Sequence, residues 1–166
     1  MSYSDLPIVE IIVGLPCSGK TTHRNTLVES YKKREKHLVV ISRDDIVEAF
    51  ANANGLNYNE AFKALIGSNE VEETLNSVFK EAVSNNHDIV VDMPNLTAKS
   101  RLKWQPHKKC LVCCSIFNPP FTEILHRNNQ RKEGKFTPET VLVDMRNQFE
   151  FPSTHKEPWI NITAQF

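Results

Sequence analysis

The sequence predicts an α/β fold, a parallel β-sheet of four to five strands flanked by helices. Three observations predict it. Strand-sized apolar runs alternate with segments of helical periodicity along the 166 residues. The first run, Ile8-Val9-Glu10-Ile11-Ile12-Val13, is rich in Ile and Val, ends at a glycine and reads as a buried parallel strand. It leads straight into Gly14-Leu15-Pro16-Cys17-Ser18-Gly19-Lys20-Thr21-Thr22, after which Leu27 and Tyr31 fall at helical spacing.

Taken in order, strands are expected at 8–13, 37–42, 88–92, 110–117 and, shorter, near 159–163. Helices are expected at 20–33, 45–53, 60–66, 69–84, 98–104, 121–132 and 138–150. Asn59 can cap the short third helix, which Gly67 follows. Asn69 with Glu72 suits a capping pair, and Leu75, Val78, Phe79, Ala82 and Val83 form the apolar stripe behind it. Thr137-Pro138 reads as cap and first turn, followed by Val141, Met145 and Phe149. No repeat, low-complexity segment or linker interrupts residues 1–166, which are expected to form one domain.

Lys plus Arg and Asp plus Glu both number 20, so the formal net charge is zero and no global field draws the chain to nucleic acid. The longest apolar runs are strand-sized, which argues against a membrane span or signal peptide. Cys110 and Cys113 have zinc-knuckle spacing, but no second Cys or His pair accompanies them. They lie in the apolar strand pattern CLVCCSIF, so a buried, reduced strand in a cytoplasmic, disulfide-free protein is expected.

Gly14 followed by Gly19-Lys20-Thr21 is the spacing of a phosphate-binding P-loop, here between a strand and a helix as the motif requires. Backbone amides around Ser18 to Thr21 would point at phosphate oxygens from the positive end of a helix. Lys20 would reach the β- and γ-phosphates, and the Thr21 hydroxyl would hold Mg²⁺. The expected nucleotide-binding set is Gly14, Pro16, Cys17, Ser18, Gly19, Lys20, Thr21 and Thr22, joined by Arg127 and Arg131.

Open parallel sheets bind ligands at the carboxyl ends of their strands. Those ends carry Gly14, Arg43-Asp44-Asp45, Asp92 and the turn Asn118-Pro119-Pro120. One of Asp44 and Asp45 is expected to cap the following helix, leaving the other to act as a general base. Asp92 suits orienting Mg²⁺ or, alternatively, holding the acceptor. Arg127 and Arg131, four residues apart, suit clamping a transferring phosphoryl group, with Lys132-Glu133-Gly134-Lys135 completing a lid. The basic run Lys32-Lys33-Arg34 ends the first helix about 20 Å from the loop, an ordinary place for cations.

The segments GLPCSGKTT, SRDD, DMPNL, RLKW, FTEILHRNNQR and TPETVL occur in the order seen in phage-type polynucleotide 5′-hydroxyl kinases, and the sequence resembles that family from residue 8 to about 149. The resemblance implies a P-loop kinase fold with a helical lid, ATP and Mg²⁺, and a nucleic-acid 5′-hydroxyl end as acceptor. It implies that Lys20 and Thr21 bind donor phosphates and metal, and that Asp44 is the general base. It further implies that Arg131 and Arg127 stabilise the phosphoryl group in flight, and that Asp92 and Asn95 face the acceptor. Two departures fall on the acceptor side. Val47 stands where the family carries an arginine, and Asp92-Met93-Pro94-Asn95-Leu96 is one residue longer than the family's Asp-Thr-Asn-Leu. The phosphatase domain of some relatives is not expected in these 166 residues.

The stretch Lys99 to Lys109 has two readings. It is either a phosphate-and-stacking surface around Trp104 or an amphipathic helix with Leu102 and Trp104 turned inward. A kinase of a small molecule or modified base is the alternative function, favoured by Val47 and the neutral charge. A nucleotide-dependent binding module comes third, without the guanine-recognition or switch motifs of a GTPase. The sequence does not separate DNA from RNA and is compatible with a homo-oligomer.

Overall fold

The computed structural model describes residues 6–66, 68–131 and 135–165, with the backbone alone for 163–165. Gly67 and Lys132-Glu133-Gly134, invoked above as a helix stop and part of a lid, lie outside the described residues. The strands are β1 (Ile8–Gly14), β2 (Leu38–Ile41), β3 (Asp88–Asp92), β4 (Leu111–Phe117) and β5 (Asn161–Gln165). They form one sheet in the order β2-β3-β1-β4-β5, with every pairing parallel. The helices are α1 (Lys20–Lys33), α2 (Arg43–Asn54), α3 (Tyr58–Leu65), α4 (Glu70–Ser84), α5 (Ala98–Leu102), α6 (Phe121–Asn129) and α7 (Glu139–Asn147).

β1 sits centrally because it is apolar on both faces. Val9, Ile11, Ile12 and Val13 are all fully buried. Its one polar residue, Glu10, is satisfied by Ser115 Oγ at 2.6 Å and shares a 2.6 Å hydrogen bond with His23 Nε2. Asp92 is in register with Ile12, and Phe117 with Gly14, so both neighbouring strands end beside the loop. The chain crosses from one side of β1 to the other between β3 and β4, which opens a crevice at their carboxyl ends.

The caps of α3, α4 and α7 differ from the expected ones. α3 begins at Tyr58 with Asn57 as cap, in a reciprocal capping box with Glu60, so Asn59 is already inside the helix. Asn69 precedes α4 in helical conformation and makes no side-chain cap; Ser68 Oγ accepts from Glu70 N instead, at 3.1 Å. α7 starts at Glu139 after Pro138, and its buried anchor is Leu142, with Val141 left exposed. On α4 the buried stripe is Val71, Leu75, Phe79, Ala82 and Val83, whereas Val78 is exposed.

The 99–109 stretch turns Arg101 and Trp104 inward and leaves Lys99, Lys103, Lys108 and Lys109 exposed. Trp104 is 1% exposed, meets Phe79 edge-on at 5.3 Å and donates Nε1 to Asn95 Oδ1 at 3.0 Å. A buried indole offers no face for a base to stack on. Leu102, expected to turn inward with it, is exposed. Arg101 is wholly buried and grips Glu157 with two bonds, Nε to Oε1 at 2.8 Å and Nη2 to Oε2 at 2.7 Å. The four cysteines are free thiols, and burial pushes Cys113 and Cys114 on β4 up to about 12. Successive strand residues face opposite sides of a sheet, so Cys113 and Cys114 cannot converge on one ion.

Candidate functional site

The loop between β1 and α1 is shaped by what its backbone must do. A Cβ on Gly14 would lie 2.5 Å from Phe117 O and 2.6 Å from Ser18 Oγ, so only glycine fits there. Cys17 (φ 63) and Gly19 (φ 105) adopt left-handed conformations that fold the loop over the start of α1. Gly14 N donates to Pro94 O at 3.1 Å, which ties the loop to the segment leaving β3.

This loop fits a nucleotide's phosphates. Gly19 caps α1 without any side-chain hydrogen bond, and no acidic residue lies in the first turn. Ser18 Oγ is buried without a hydrogen-bond partner. Lys20 is 9% exposed and donates Nζ to Leu15 O at 2.6 Å. Burial lowers its pKa to about 8, although Asp92 and Asp44 work against the shift; Arg131 adds to it. A buried cation, an orphaned hydroxyl and a helix N-terminus together form an anion cradle. For Mg²⁺, Thr21 and Asp92 stand on the same rim, and the ion needs few protein ligands because phosphates and water supply the rest.

Both arginines line the cleft over this cradle. It has a volume of about 990 Å³ and is walled by Cys17 to His23, Thr26, Phe117 to Pro120, Glu123, Arg127 and Arg131. Arg127 Nη1 donates to Cys17 O at 3.1 Å while its other arm pairs with Glu123. α6 ends at Asn129, so Arg131 lies just beyond the helix rather than on its face, with Nη1 3.5 Å from Thr137 Oγ1. Asn128 holds that turn: it is 1% exposed, donates to Thr137 O at 2.8 Å and accepts from Thr137 N at 3.1 Å.

The acids form a second wall outside the residues that line this cleft, at the start of α2 and the end of β3. Ser42, not an aspartate, caps α2, its Oγ accepting from Asp45 N at 3.3 Å. Asp44 and Asp45 therefore both sit in the first helical turn, where the dipole favours them. Their partners separate them. Arg24 Nη1 reaches both Asp45 oxygens at 2.8 and 3.0 Å, and Arg24 Nε lies 3.5 Å from Asp92 Oδ2. Asp44 Oδ1 instead accepts from the Tyr58 hydroxyl at 2.7 Å. Burial raises the Asp92 pKa, against the opposing pull of Lys20 and Arg24.

Asn95 does not join this wall. It is 4% exposed, and its Nδ2 donates to Ile12 O at 2.8 Å and Met93 O at 3.1 Å, while Oδ1 accepts from Trp104. With its Nδ2 committed to the ends of β1 and β3 and its Oδ1 to Trp104, it buttresses the loop after Asp92 in place of the expected acceptor contact. Val47 is likewise core, buried with Ala51 and Ala61 between α2 and α3. Sequence reasoning missed Arg24 and Tyr58. Arg24 had a signal, since four residues beyond Lys20 on a helix is the same face.

The sequence matches the AAA domain family over residues 9–152. No curated protein matches it. Among solved structures it is similar to Chaetomium thermophilum Kti12 in complex with ADP-AlF3, at 16% identity and TM-score 0.59, covering 94% of this chain and 88% of that one. It is similar to shikimate kinase from Acinetobacter baumannii in complex with shikimate, at 15% identity and TM-score 0.54, covering 99% and 86%. A chain of the Pnkp1/Rnl/Hen1 complex aligns at 19% identity and TM-score 0.53, covering 80% of this chain but 44% of that one. At such identities the likeness is one of fold, a five-stranded parallel sheet flanked by helices as in P-loop kinases. The match over most of its length places the chain in the AAA domain family.

Proposed function

We propose that this member of the AAA domain family transfers the γ-phosphate of ATP to the 5′-hydroxyl end of a polynucleotide. The observation that carries the kinase reading is the buried Lys20 in a cleft lined by Arg127 and Arg131, with the Asp44 carboxylate near enough to act on the Lys20 amine. Lys20, Ser18 and the loop amides would bind the donor phosphates. A bound Mg²⁺, held by Thr21 and Asp92, would supply charge neutralisation to those phosphates. Asp44 takes the proton of the acceptor hydroxyl as its oxygen bonds to the γ-phosphorus and the bond to ADP breaks. Arg127 and Arg131 neutralise the charge on the oxygens of the group in transfer. The polynucleotide end rests on the ordered motifs shared with the 5′-hydroxyl kinases, and similarity to a chain of the Pnkp1 complex is consistent with it.

One observation favours a small hydroxyl compound instead. Trp104 and Arg101 are buried, so the 99–109 stretch has lost its stacking residue, and Val47 offers no cation on the acceptor side. Shikimate kinase, with its small-alcohol substrate, shares the fold. Labelled ATP offered with 5′-hydroxyl oligonucleotides, nucleosides and sugars decides between them. Label on oligonucleotide ends supports the first reading. Efficient label on a small alcohol with none on any 5′ end overturns it.

A further inference from the structure

The corner between α2 and α3 carries a contact that the functions assigned above do not use. Tyr58, the first residue of α3, donates its hydroxyl to Asp44 Oδ1 at 2.7 Å from a different helix. Its ring is held in place. Phe62 stacks on it with centroids 6.2 Å apart and planes at 14°. Lys135 Nζ lies 5.4 Å from the ring centroid while pairing with Glu48 of α2. Val47, Ala51 and Ala61 form the buried cluster against which Tyr58 packs. A hydrogen bond between two freely rotating side chains would be lost to water. Here the donor is fixed by α2, α3 and Lys135, so it fixes its acceptor.

We infer that Tyr58 is a positioning residue that orients the Asp44 carboxylate toward the acceptor hydroxyl. The inference rests on the proposed role of Asp44 as proton acceptor. A carboxylate has about four lone-pair sites, so one phenol on Oδ1 leaves Oδ2 to receive the proton. Burial, and then the Asp44 contact, raise the Tyr58 pKa, so the phenol remains a donor across the assay range and gives up no proton itself. In the step, the acceptor O–H proton passes to Asp44, the new O–P bond forms and the bond from phosphorus to ADP breaks.

The test compares wild type, Tyr58→Phe, Asp44→Asn and the double variant in the phosphoryl-transfer assay with the best hydroxyl acceptor. Phenylalanine keeps the ring, so thermal midpoint and ATP affinity should stay near wild type. Tyr58→Phe should lower kcat about 10- to 100-fold through misplacement of the base, with a smaller change in acceptor KM. In the Asp44→Asn background the same substitution should cost nothing further. If Tyr58→Phe leaves kcat unchanged while Asp44→Asn abolishes turnover, the positioning role is overturned and the role of Asp44 stands. An equal loss from Tyr58→Phe in both backgrounds also overturns it, since the residue would then act independently of Asp44. Full turnover in Asp44→Asn overturns the base assignment, and the inference with it.

Discussion

The proposed site has two walls, a donor side at the loop and an acceptor side at α2, and they hold their charges by different means. The donor wall is mostly backbone: a glycine with no room for a Cβ, two left-handed residues, the start of α1 and one buried lysine. The acceptor wall is made of side chains answering side chains. Arg24 bridges Asp45 and Asp92, Tyr58 holds Asp44, and Lys135 pairs with Glu48. A wall of backbone amides recognises one thing, a row of phosphates, whatever side chains surround it. A wall of exposed side chains is re-cut by single substitutions. The contrast gives each wall its own failure mode.

The largest expected effect separates the walls directly. Asp44→Ala should leave ATP binding near normal while transfer falls by roughly 10²–10⁴, the general-base contribution. Lys20→Ala should lower nucleotide affinity and turnover together, because the lost contact is to the donor. Equilibrium binding of a fluorescent ATP analogue beside single-turnover kinetics checks both. Normal turnover in Asp44→Ala with loss in Asp45→Ala would reverse the pair and break the comparison at its centre.

The scaffold behind the acceptor wall gives the next effect, in stability instead of rate. Arg101→Met removes one partner of a buried ion pair and leaves Glu157 uncompensated, at a cost of about 3–5 kcal/mol. Asn95→Ala strands the Trp104 indole and should cost about 1–3 kcal/mol. Denaturant midpoints measure both. Weak acceptor binding in an Arg101→Met protein of wild-type stability would return the 99–109 stretch to the acceptor surface.

Arg131→Lys sharpens the comparison where the walls meet. Lysine retains the charge but loses the planar fork, so kcat should fall about tenfold or more with ATP affinity little changed. The contact strengthens as charge moves in the transition state, and uniform binding would instead appear in KM.

The same contrast explains what could be read from the sequence. The donor wall is one contiguous motif, and the strand, loop and helix around it fall where the pattern puts them, α1 at 20–33 included. The later elements exist as expected but shift at their ends, because caps are set by small choices. Ser42 outcompetes the aspartates for α2, and Asn57 with Glu60 starts α3 before Asn59. The acceptor wall joins residues 24, 45 and 92, or 44, 58 and 135, through side-chain contacts with no local periodicity. Lys99 to Lys109 shows the other limit: composition left two readings open, and the structure buries Trp104 and Arg101 while the lysines stay exposed. Nothing in residues 99–109 alone says that Glu157 will arrive to neutralise Arg101.

The smallest effect concerns protons, and it tests the donor wall alone. In the free protein Lys20 titrates near 8, lowered chiefly by burial from its ordinary 10.5. Between those values the unfolded lysine holds more protons than the folded one, so this group makes the free protein more stable as pH rises through the window. A bound triphosphate works in the opposite direction, since its negative charge raises the folded pKa back toward the ordinary value. Below about pH 7 the lysine is protonated with or without nucleotide, and Lys20 adds no pH dependence to affinity. Above about pH 8 binding must take up a proton, so affinity should weaken with rising pH by at most about tenfold per unit. Calorimetric titration with a non-hydrolysable ATP analogue, in two buffers of unlike ionisation enthalpy at about pH 8.5, should show fractional proton uptake. Lys20→Met should abolish that uptake as well as weaken binding. Uptake that persists in Lys20→Met would assign the proton to another group and remove the buried lysine from the donor wall's electrostatics.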